Sequence, residues 1–200
     1  NDNYVAFNRF TGLLQTGIVL QRSSSGYVGG FSRNRFIGNE LRADTSSALR
    51  AYCIDVYLEG ANAAADIEIR GNTLAGFAPN AGQALIRAWG VGTPVLDRLA
   101  VSGNKLSNGT HGVSVSRALR YSVFSNEFDS MGSFPIVTSA GAYGNFENNK
   151  GLGSISVIGI SGFDAATDQA SKNRWTDAPL IVSFTVPTTA AAHTIAHGGV

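Results

Sequence analysis

The chain of 200 residues has one cysteine, one methionine and five prolines, and only 14% of its residues are charged. A lone cysteine, Cys53, excludes an internal disulfide framework and a cysteine-rich zinc site. The formal net charge of +1 provides no broad field to attract nucleic acid or an anionic membrane. No apolar run approaches the roughly 20 residues that a transmembrane helix needs. We therefore expect no nucleic-acid partner and no membrane insertion.

Turn-forming residues are abundant instead, with 24 glycines in the chain, and 44% of residues are apolar. Apolar residues alternate with period two in short runs, and no sustained 3.6-residue stripe occurs before Gly162. These features predict an all-β protein with many short strands and sharp turns. The chain starts at Asn1 without an initiator methionine or a signal peptide, which we interpret as the cut end of a larger protein.

One phrase of eight residues recurs along the chain: apolar, any, apolar, any, small, asparagine, any, apolar. Its clearest copies begin at Ile67, Leu99 and Tyr121. The asparagines of all copies are Asn8, Asn39, Asn72, Asn104, Asn126 and Asn148 or Asn149. Their spacings are 31, 33, 32, 22 and 22 or 23 residues. We interpret 22 residues as one bare rung of a repeat and the longer spacings as the same rung with a loop.

Each copy continues into a second apolar stretch, so a rung reads as strand, sharp turn, short strand, loop and strand. This order predicts a right-handed parallel β-helix of about six rungs over residues 1–162. A corner of one or two residues often needs a positive φ, and asparagine tolerates that conformation. We therefore expect the repeated asparagines to occupy these corners and to stack as an amide ladder.

This repeat resembles the pectate-lyase-like parallel β-helices, and especially the β-helical domains of phage tailspike proteins. The resemblance covers roughly residues 4–160 and rests on the pattern of the repeat, with no signature motif. The remaining residues, 163–200, resemble the linker and β-rich trimerising tail that follow such a domain. The resemblance implies a homotrimer on the virion tail, outside the cell. It also implies binding and depolymerisation, by a hydrolase or a lyase, of a bacterial surface polysaccharide such as lipopolysaccharide O-antigen or capsule.

Two alternatives to a depolymerising tailspike stay open at this point. One is a non-catalytic receptor-binding or shaft segment of a tail fibre, and the other is a free bacterial polysaccharide lyase or epimerase. The fold alone does not choose among them, because one scaffold carries many chemistries.

A candidate sugar-binding strip follows from strand alternation in two neighbouring rungs. Alternation places Asp55, Tyr57 and Glu59 on the outer face of one strand, and Arg87 and Trp89 on that of the next. Since neighbouring strands lie about 4.8 Å apart, Asp55 should lie near Arg87, and Tyr57 near Trp89. Aromatic rings can stack on sugars while charged groups meet hydroxyls and sugar acids. The alternative is an ordinary surface ion pair beside two half-buried aromatic residues.

A candidate catalytic pair is Asp66 and Glu68, which lie two residues apart on one predicted strand. Side chains at that spacing share a face about 6.5–7 Å apart, at the lower edge of the separation in inverting glycosidases. Asp55 and Glu59 are further candidate acids. Counting back from Asn72 and Asn104, however, places Arg98 beside Asp66, which would make Asp66 half of a cross-strand ion pair.

Metal and cofactor sites are not predicted. His193 and His197 have the spacing of two zinc ligands on a helix, but their segment alternates as a strand, where they would lie about 13 Å apart. No phosphate-binding loop or dinucleotide fingerprint is present. The residues after the repeated asparagines alternate in charge and predict weak surface ladders: Arg9, Glu40, Thr73, Lys105, Glu127 and Lys150.

Overall fold

The structure, a computed structural model, describes residues 2–13, 16–22, 31–43, 52–60, 63–76, 84–92, 96–152, 159–175, 180–183 and 194–197. Within these ranges the protein is all-β. The described part of the chain contains no helix with the length and apolarity to cross a membrane.

The strands in chain order are β1 (Tyr4–Ala6), β2 (Arg9–Leu13), β3 (Ile18–Arg22), β4 (Phe31–Ser32), β5 (Arg35–Ile37), β6 (Glu40–Ala43), β7 (Ile54–Gly60), β8 (Ala64–Arg70), β9 (Thr73–Ala75), β10 (Ala84–Gly92), β11 (Leu96–Ser102), β12 (Lys105–Ser107), β13 (His111–Ser116), β14 (Ala118–Phe124), β15 (Glu127–Asp129), β16 (Ile136–Ser139), β17 (Ala142–Glu147), β18 (Lys150–Leu152), β19 (Ile160–Ser161), β20 (Gln169–Ser171), β21 (Arg174–Trp175), β22 (Leu180–Ser183) and β23 (Thr194–His197).

Three parallel sheets contain nearly all of these strands. Sheet A has the order β1-β5-β8-β11-β14-β17-β20, with β4 also paired to β8. Sheet B has the order β2-β6-β9-β12-β15-β18-β21, and sheet C has the order β3-β7-β10-β13-β16-β19. The chain visits A, B and C in turn and then begins again beside its own first pass. The predicted parallel β-helix is therefore confirmed, with six complete rungs and the start of a seventh.

The core lies between the three sheets and is built from columns of equivalent residues. In sheet A, in-register pairing stacks Phe36, Ile69, Val101, Val123 and Phe146, and each is at most 2% exposed. Fully burying a side chain of this size contributes about 1.5–3 kcal/mol. Because five consecutive rungs repeat the contact, the column stabilises the stack from β5 to β17.

The repeated asparagines stack at the corner between sheets A and B. Each side-chain oxygen accepts hydrogen bonds from the backbone N–H and the amide nitrogen of the asparagine in the preceding rung, as Asn126 does from Asn104 at 3.0 and 2.9 Å. The ladder runs through Asn8, Asn39, Asn72, Asn104, Asn126, Asn149 and Asn173. The predicted stacking of asparagines is confirmed.

The ladder asparagine itself does not take the positive φ at the corner. The preceding residue does so: Gly71, Gly103 and Ser125 have φ of 64°, 60° and 53°, while the ladder asparagines are absent from the positive-φ residues. Turning the backbone one residue earlier leaves the asparagine side chain buried and aimed along the stack. Glycine suits the turning position because it has no Cβ to clash.

The β-helix continues past the expected limit at residue 162. β20 and β21 belong to sheets A and B, and Asn149 donates to the oxygen of Asn173 at 2.9 Å. The sequence of this rung has no alternating large apolar residues that would have predicted it. Its strand β20 consists of Gln169–Ser171, and all three residues are exposed. Beyond Trp175 the described strands β22 and β23 pair antiparallel in a separate sheet.

Candidate functional site

The outer face of sheet C carries the predicted strip. Along β7 and β10 the inward residues Ile54, Val56 and Ala88 are fully buried, so the residues between them lie on the outside. In-register pairing joins Tyr57 to Trp89, as predicted. The same row of the outer face, across five strands, contains Gln21, Tyr57, Trp89, Ser116 and Ser139.

Asp55 and Arg87 form a bidentate ion pair across β7 and β10. Arg87 Nε donates to Asp55 Oδ1 at 2.7 Å and Nη2 donates to Oδ2 at 2.5 Å. The two side chains are only 7% and 19% exposed. Burial of the guanidinium opposes its charge, but the hydrogen bonds and charge of Asp55 prevail and raise the pKa of Arg87. The predicted pairing is confirmed, and it is more shielded than an ordinary surface ion pair.

Three aromatic rings surround the Arg87 guanidinium. Its central carbon lies 3.9 Å from the ring centre of Tyr52, 4.8 Å from that of Tyr57 and 5.8 Å from that of Trp89. These distances are within the range of cation–π attraction. Arg87 therefore connects the three rings into one cluster, in which Tyr57 and Trp89 lie against the same guanidinium.

Tyr52 is the member of this cluster that sequence reasoning missed. Arg87 Nη1 donates to its hydroxyl at 3.2 Å. Tyr52 has the same parity as the inward residues Ile54 and Val56, so alternation places it inside. It precedes the first residue of β7, where the pleat no longer dictates direction, and no period-two signal could have found it.

Hydrogen bonds orient the two aromatic residues of the strip. The indole nitrogen of Trp89 donates to the buried hydroxyl of Ser114 at 3.1 Å. Partial burial, followed by the hydrogen bond to Glu59 and the charge of that carboxylate, raises the pKa of Tyr57. Both rings are half-buried, so each keeps part of its surface open to solvent.

Asp66 and Glu68 lie in a different setting, on β8 of sheet A. Arg98 Nε donates to Asp66 Oδ1 at 2.5 Å, which confirms the predicted cross-strand ion pair. Its hydrogen bond and charge lower the pKa of Asp66, whereas a general acid must hold a proton near neutral pH. Glu68 lies 3.4 Å from both Arg35 and Arg70.

The expected regular strand through Asp66 and Glu68 is interrupted. Asp66 and Arg98 have φ of 56° and 54°, and both are skipped in the β8–β11 register. The extended spacing of 6.5–7 Å therefore does not apply to this pair. The two carboxylates are engaged by different arginines.

The remaining polar predictions concern surface charge and metal ligands. Ion pairs join Arg9 to Glu40 at 3.2 Å and Glu127 to Lys105 and Lys150 at 4.0 Å, as the ladder interpretation predicts. His193 lies outside the described residues, so its separation from His197 is not defined. Among the residues that are described, no three His, Cys, Asp or Glu side chains are grouped to hold a metal ion.

The outer face of sheet C thus combines two oriented aromatic rings, a carboxylate and a line of hydroxyl and amide groups. No known protein family matches the chain, and no curated protein is significantly similar to it. The functional argument therefore rests on the fold and on the geometry of this face.

Proposed function

We propose that this chain is a polysaccharide-binding segment of a β-helical protein of the tailspike type, and that it binds a bacterial surface polysaccharide on the outer face of sheet C. The observation that carries this proposal is the pairing of Tyr57 and Trp89 on adjacent strands, with Arg87 fixed against both rings. Aromatic rings that are already held in place can stack on sugar rings with little loss of conformational freedom.

The shape of the face also suits a chain-like ligand. Strands lie about 4.8 Å apart, so the row from Gln21 to Ser139 across five strands extends about 19 Å along the helix axis. Ser139 donates to the hydroxyl of Ser116 at 3.1 Å beside the aromatic pair. Ser116 is only 7% exposed, whereas Gln21 and Ser139 at the two ends of the row are exposed. A polymer that stacks on the rings can therefore reach hydrogen-bonding groups at both ends of the row.

The ion pairs favour binding over depolymerisation within this segment. Asp55, Asp66 and Glu68 are each held by arginine at 3.4 Å or less. Of the four predicted acids, Glu59 is the best candidate for a cleavage role, because it lies beside the rings and accepts a hydrogen bond from Tyr57. Depolymerisation through Glu59 is the second function that we propose for this face.

The binding proposal is tested with an immobilised panel of bacterial lipopolysaccharides and capsular polysaccharides. We expect Trp89→Ala to weaken binding about tenfold to whichever polysaccharide of the panel the intact protein binds. The reason is that stacking contributes about 0.5–1.5 kcal/mol beyond buried area. Tyr57→Ala should weaken it less. Tyr4→Ala is the matched control, since Tyr4 is an exposed aromatic residue on sheet A. Equal binding by Trp89→Ala and Tyr4→Ala would overturn the proposal.

The cleavage proposal is tested separately on the same polymer. New reducing ends would indicate hydrolysis, and absorbance from an unsaturated sugar would indicate lyase chemistry. Loss of a true general acid or base in Glu59→Gln should lower the rate about 10²–10⁴-fold while the polymer still binds. Full activity in Glu59→Gln, or no product from the intact protein, leaves binding as the function of this segment.

Trimer formation is the partner interaction that accompanies this proposal. Exposed apolar side chains on sheet A include Leu119 of β14 and Tyr143 of β17, which are on neighbouring strands. Burial of such side chains against another copy of the chain removes apolar surface from water and favours association. Light scattering of the intact protein at micromolar concentration should give three times the mass of one chain, and a monomer would refute this prediction.

A further inference from the structure

The interior of the last three rungs contains polar side chains where the earlier rungs are apolar. Pairing of β11, β14 and β17 stacks Leu99, Tyr121 and Gly144 in one inward column of sheet A. Asp168, the residue before β20, comes next in this column and is 8% exposed. In the third rung the same position is Ile67. A carboxylate therefore enters the interior at a position that is aliphatic in earlier rungs.

The hydroxyl of Tyr121 has no hydrogen-bond partner, although the residue is only 2% exposed. Among the residues that the structure describes, the one other buried side-chain oxygen or nitrogen without a partner is Thr167 Oγ1. Such atoms are rare in native proteins and often mark the place of a water or an ion. Both of them occur beside Asp168, Tyr121 along the column and Thr167 along the chain.

Gly144 leaves the hydroxyl of Tyr121 and the carboxylate of Asp168 open to the same space. A Cβ added at Gly144 would lie 2.6 Å from Tyr121 Oη and 2.9 Å from Asp168 Oδ1. Both oxygens therefore border the volume that a side chain at position 144 would fill. The missing side chain lets Tyr121 reach across one rung toward the carboxylate.

A second hydroxyl and a second carboxylate lie near the phenol. Burial, and then the charge of Asp168, raise the pKa of Tyr121; the hydroxyl of Thr138 opposes this, and the charge of Asp164 adds to it. The Tyr121 hydroxyl therefore keeps its proton. Thr138 Oγ1 does not have the geometry of a hydrogen bond to Tyr121 and donates instead to Gly162 O at 2.8 Å. Its lone pairs remain available to a ligand.

Backbone N–H groups are the described partners of the Asp168 carboxylate. Oδ1 accepts from Gly144 N at 2.8 Å and Oδ2 accepts from Asp164 N at 3.1 Å. None of the ion pairs between described residues includes Asp168 or Asp164. Each carboxylate oxygen has a further lone pair, so Asp168 can accept its two N–H groups and still bind a cation.

We propose that the interior of the last three rungs binds one calcium ion through Asp168 and Tyr121. Calcium takes six to eight oxygen ligands in flexible geometry and prefers carboxylates, carbonyls and water, whereas magnesium demands a near-ideal octahedron. Thr138 and Asp164 supply further oxygens, so the site has two carboxylates and does not need three acids. The charge of the ion matches these two carboxylates.

A bound ion would join β14 and β17 to the turn before β20. That strand has no buried side chain of its own, so the last rung depends on other contacts for its stability. Calcium would therefore act as a fastener of this end of the β-helix. The inference concerns the interior and does not depend on the proposed polysaccharide binding by sheet C.

Thermal unfolding of the full chain after treatment with a chelator tests the site. Calcium chloride at about 100 times its dissociation constant should raise the melting temperature by about 5–10 °C, because the ion binds the folded state only. Magnesium chloride should raise it less, and sodium chloride of equal ionic strength should leave it unchanged. Titration calorimetry should give one calcium ion per chain.

Three variants assign the response to these residues. Tyr121→Phe removes only the unpartnered hydroxyl, so without calcium it should melt at the same temperature or higher. Its calcium affinity should fall at least about tenfold, the loss that even an outer-shell partner of a metal can cause. Asp168→Asn should abolish the response. Asp129→Asn, at an exposed acid of sheet B, is the matched control and should keep the full response.

An unchanged melting temperature and no heat of calcium binding would overturn the proposal, and a buried water would then satisfy the Tyr121 hydroxyl. A calcium response that both Tyr121→Phe and Asp168→Asn retain would also overturn it, because the ion would then bind elsewhere. If Asp168→Asn does not fold, the calcium affinity of Tyr121→Phe decides the question alone.

Discussion

Arg87 and Asp55 face each other across adjacent rungs, joined by two hydrogen bonds of 2.7 and 2.5 Å, and three aromatic rings surround the guanidinium. The pair is therefore both an electrostatic contact and the support of an aromatic surface. Asp55 fixes the direction of the guanidinium that Tyr57 and Trp89 pack against.

Removing the acid from this pair should destabilise the protein strongly. Asp55→Ala leaves Arg87 largely buried without its counterion, and we expect a loss of about 2–4 kcal/mol in the free energy of unfolding. Asp66→Asn is the control, because Asp66 and Arg98 are 42% and 49% exposed and asparagine tolerates the positive φ of position 66. This variant should lose at most about 1 kcal/mol. Urea unfolding of both variants measures the difference, and equal losses would contradict this account.

The asparagine ladder should carry a large share of the stability of each corner. Asn104 donates to Ile69 O and Asn126 Oδ1, and its oxygen accepts from Asn72 at 2.9 Å. Asn104→Ala leaves several buried polar groups unsatisfied, so we expect a loss of about 2–4 kcal/mol. Asn145→Ala, on the exposed face of β17, should lose less than about 0.5 kcal/mol. Thermal melts of the two variants measure the contrast; similar melting temperatures would show that the ladder contributes little.

The residue before each asparagine should prefer glycine. Gly103 has φ of 60°, and a Cβ there would meet no atom within 4 Å, so Gly103→Ala tests backbone conformation alone. We expect a loss of about 1–2 kcal/mol. Ser125 occupies the same corner with φ of 53°, so Ser125→Gly should be neutral or stabilising by up to about 1 kcal/mol. Chemical denaturation measures the free energy of unfolding of both variants. An unchanged free energy of unfolding in Gly103→Ala would refute the argument.

Acidification should weaken the fold partly through His111. Burial lowers its pKa from the ordinary 6.5, and the hydrogen bond with Phe134 O only partly opposes this. The folded state then binds the proton less readily than the unfolded state. The contribution of His111 is present above about pH 6.5 and is lost as the pH falls toward its lowered pKa. His111→Gln should lose less stability than the natural chain between about pH 7.5 and pH 5.5. Equal losses in the two proteins would contradict the assignment.

The sequence by itself determined the fold and most of the pairings across rungs. In a parallel stack, equivalent residues lie beside one another, so counting from Asn72 to Asn104 places Arg98 beside Asp66. Alternation within the strands likewise paired Tyr57 with Trp89. These predictions succeeded because the repeat encodes both the pleat and the register.

Only the tertiary structure decided which residue bends at each corner and which groups surround the charges. Two conformations of a glycine–asparagine corner fit the same pattern, and the hydrogen bonds to the next rung select the one in which Gly103 turns and Asn104 stacks. The interruption at Asp66 breaks the period that the prediction assumed. Tyr52 turns outward because a cation lies on the neighbouring strand, 35 residues away, and no local period carries that information.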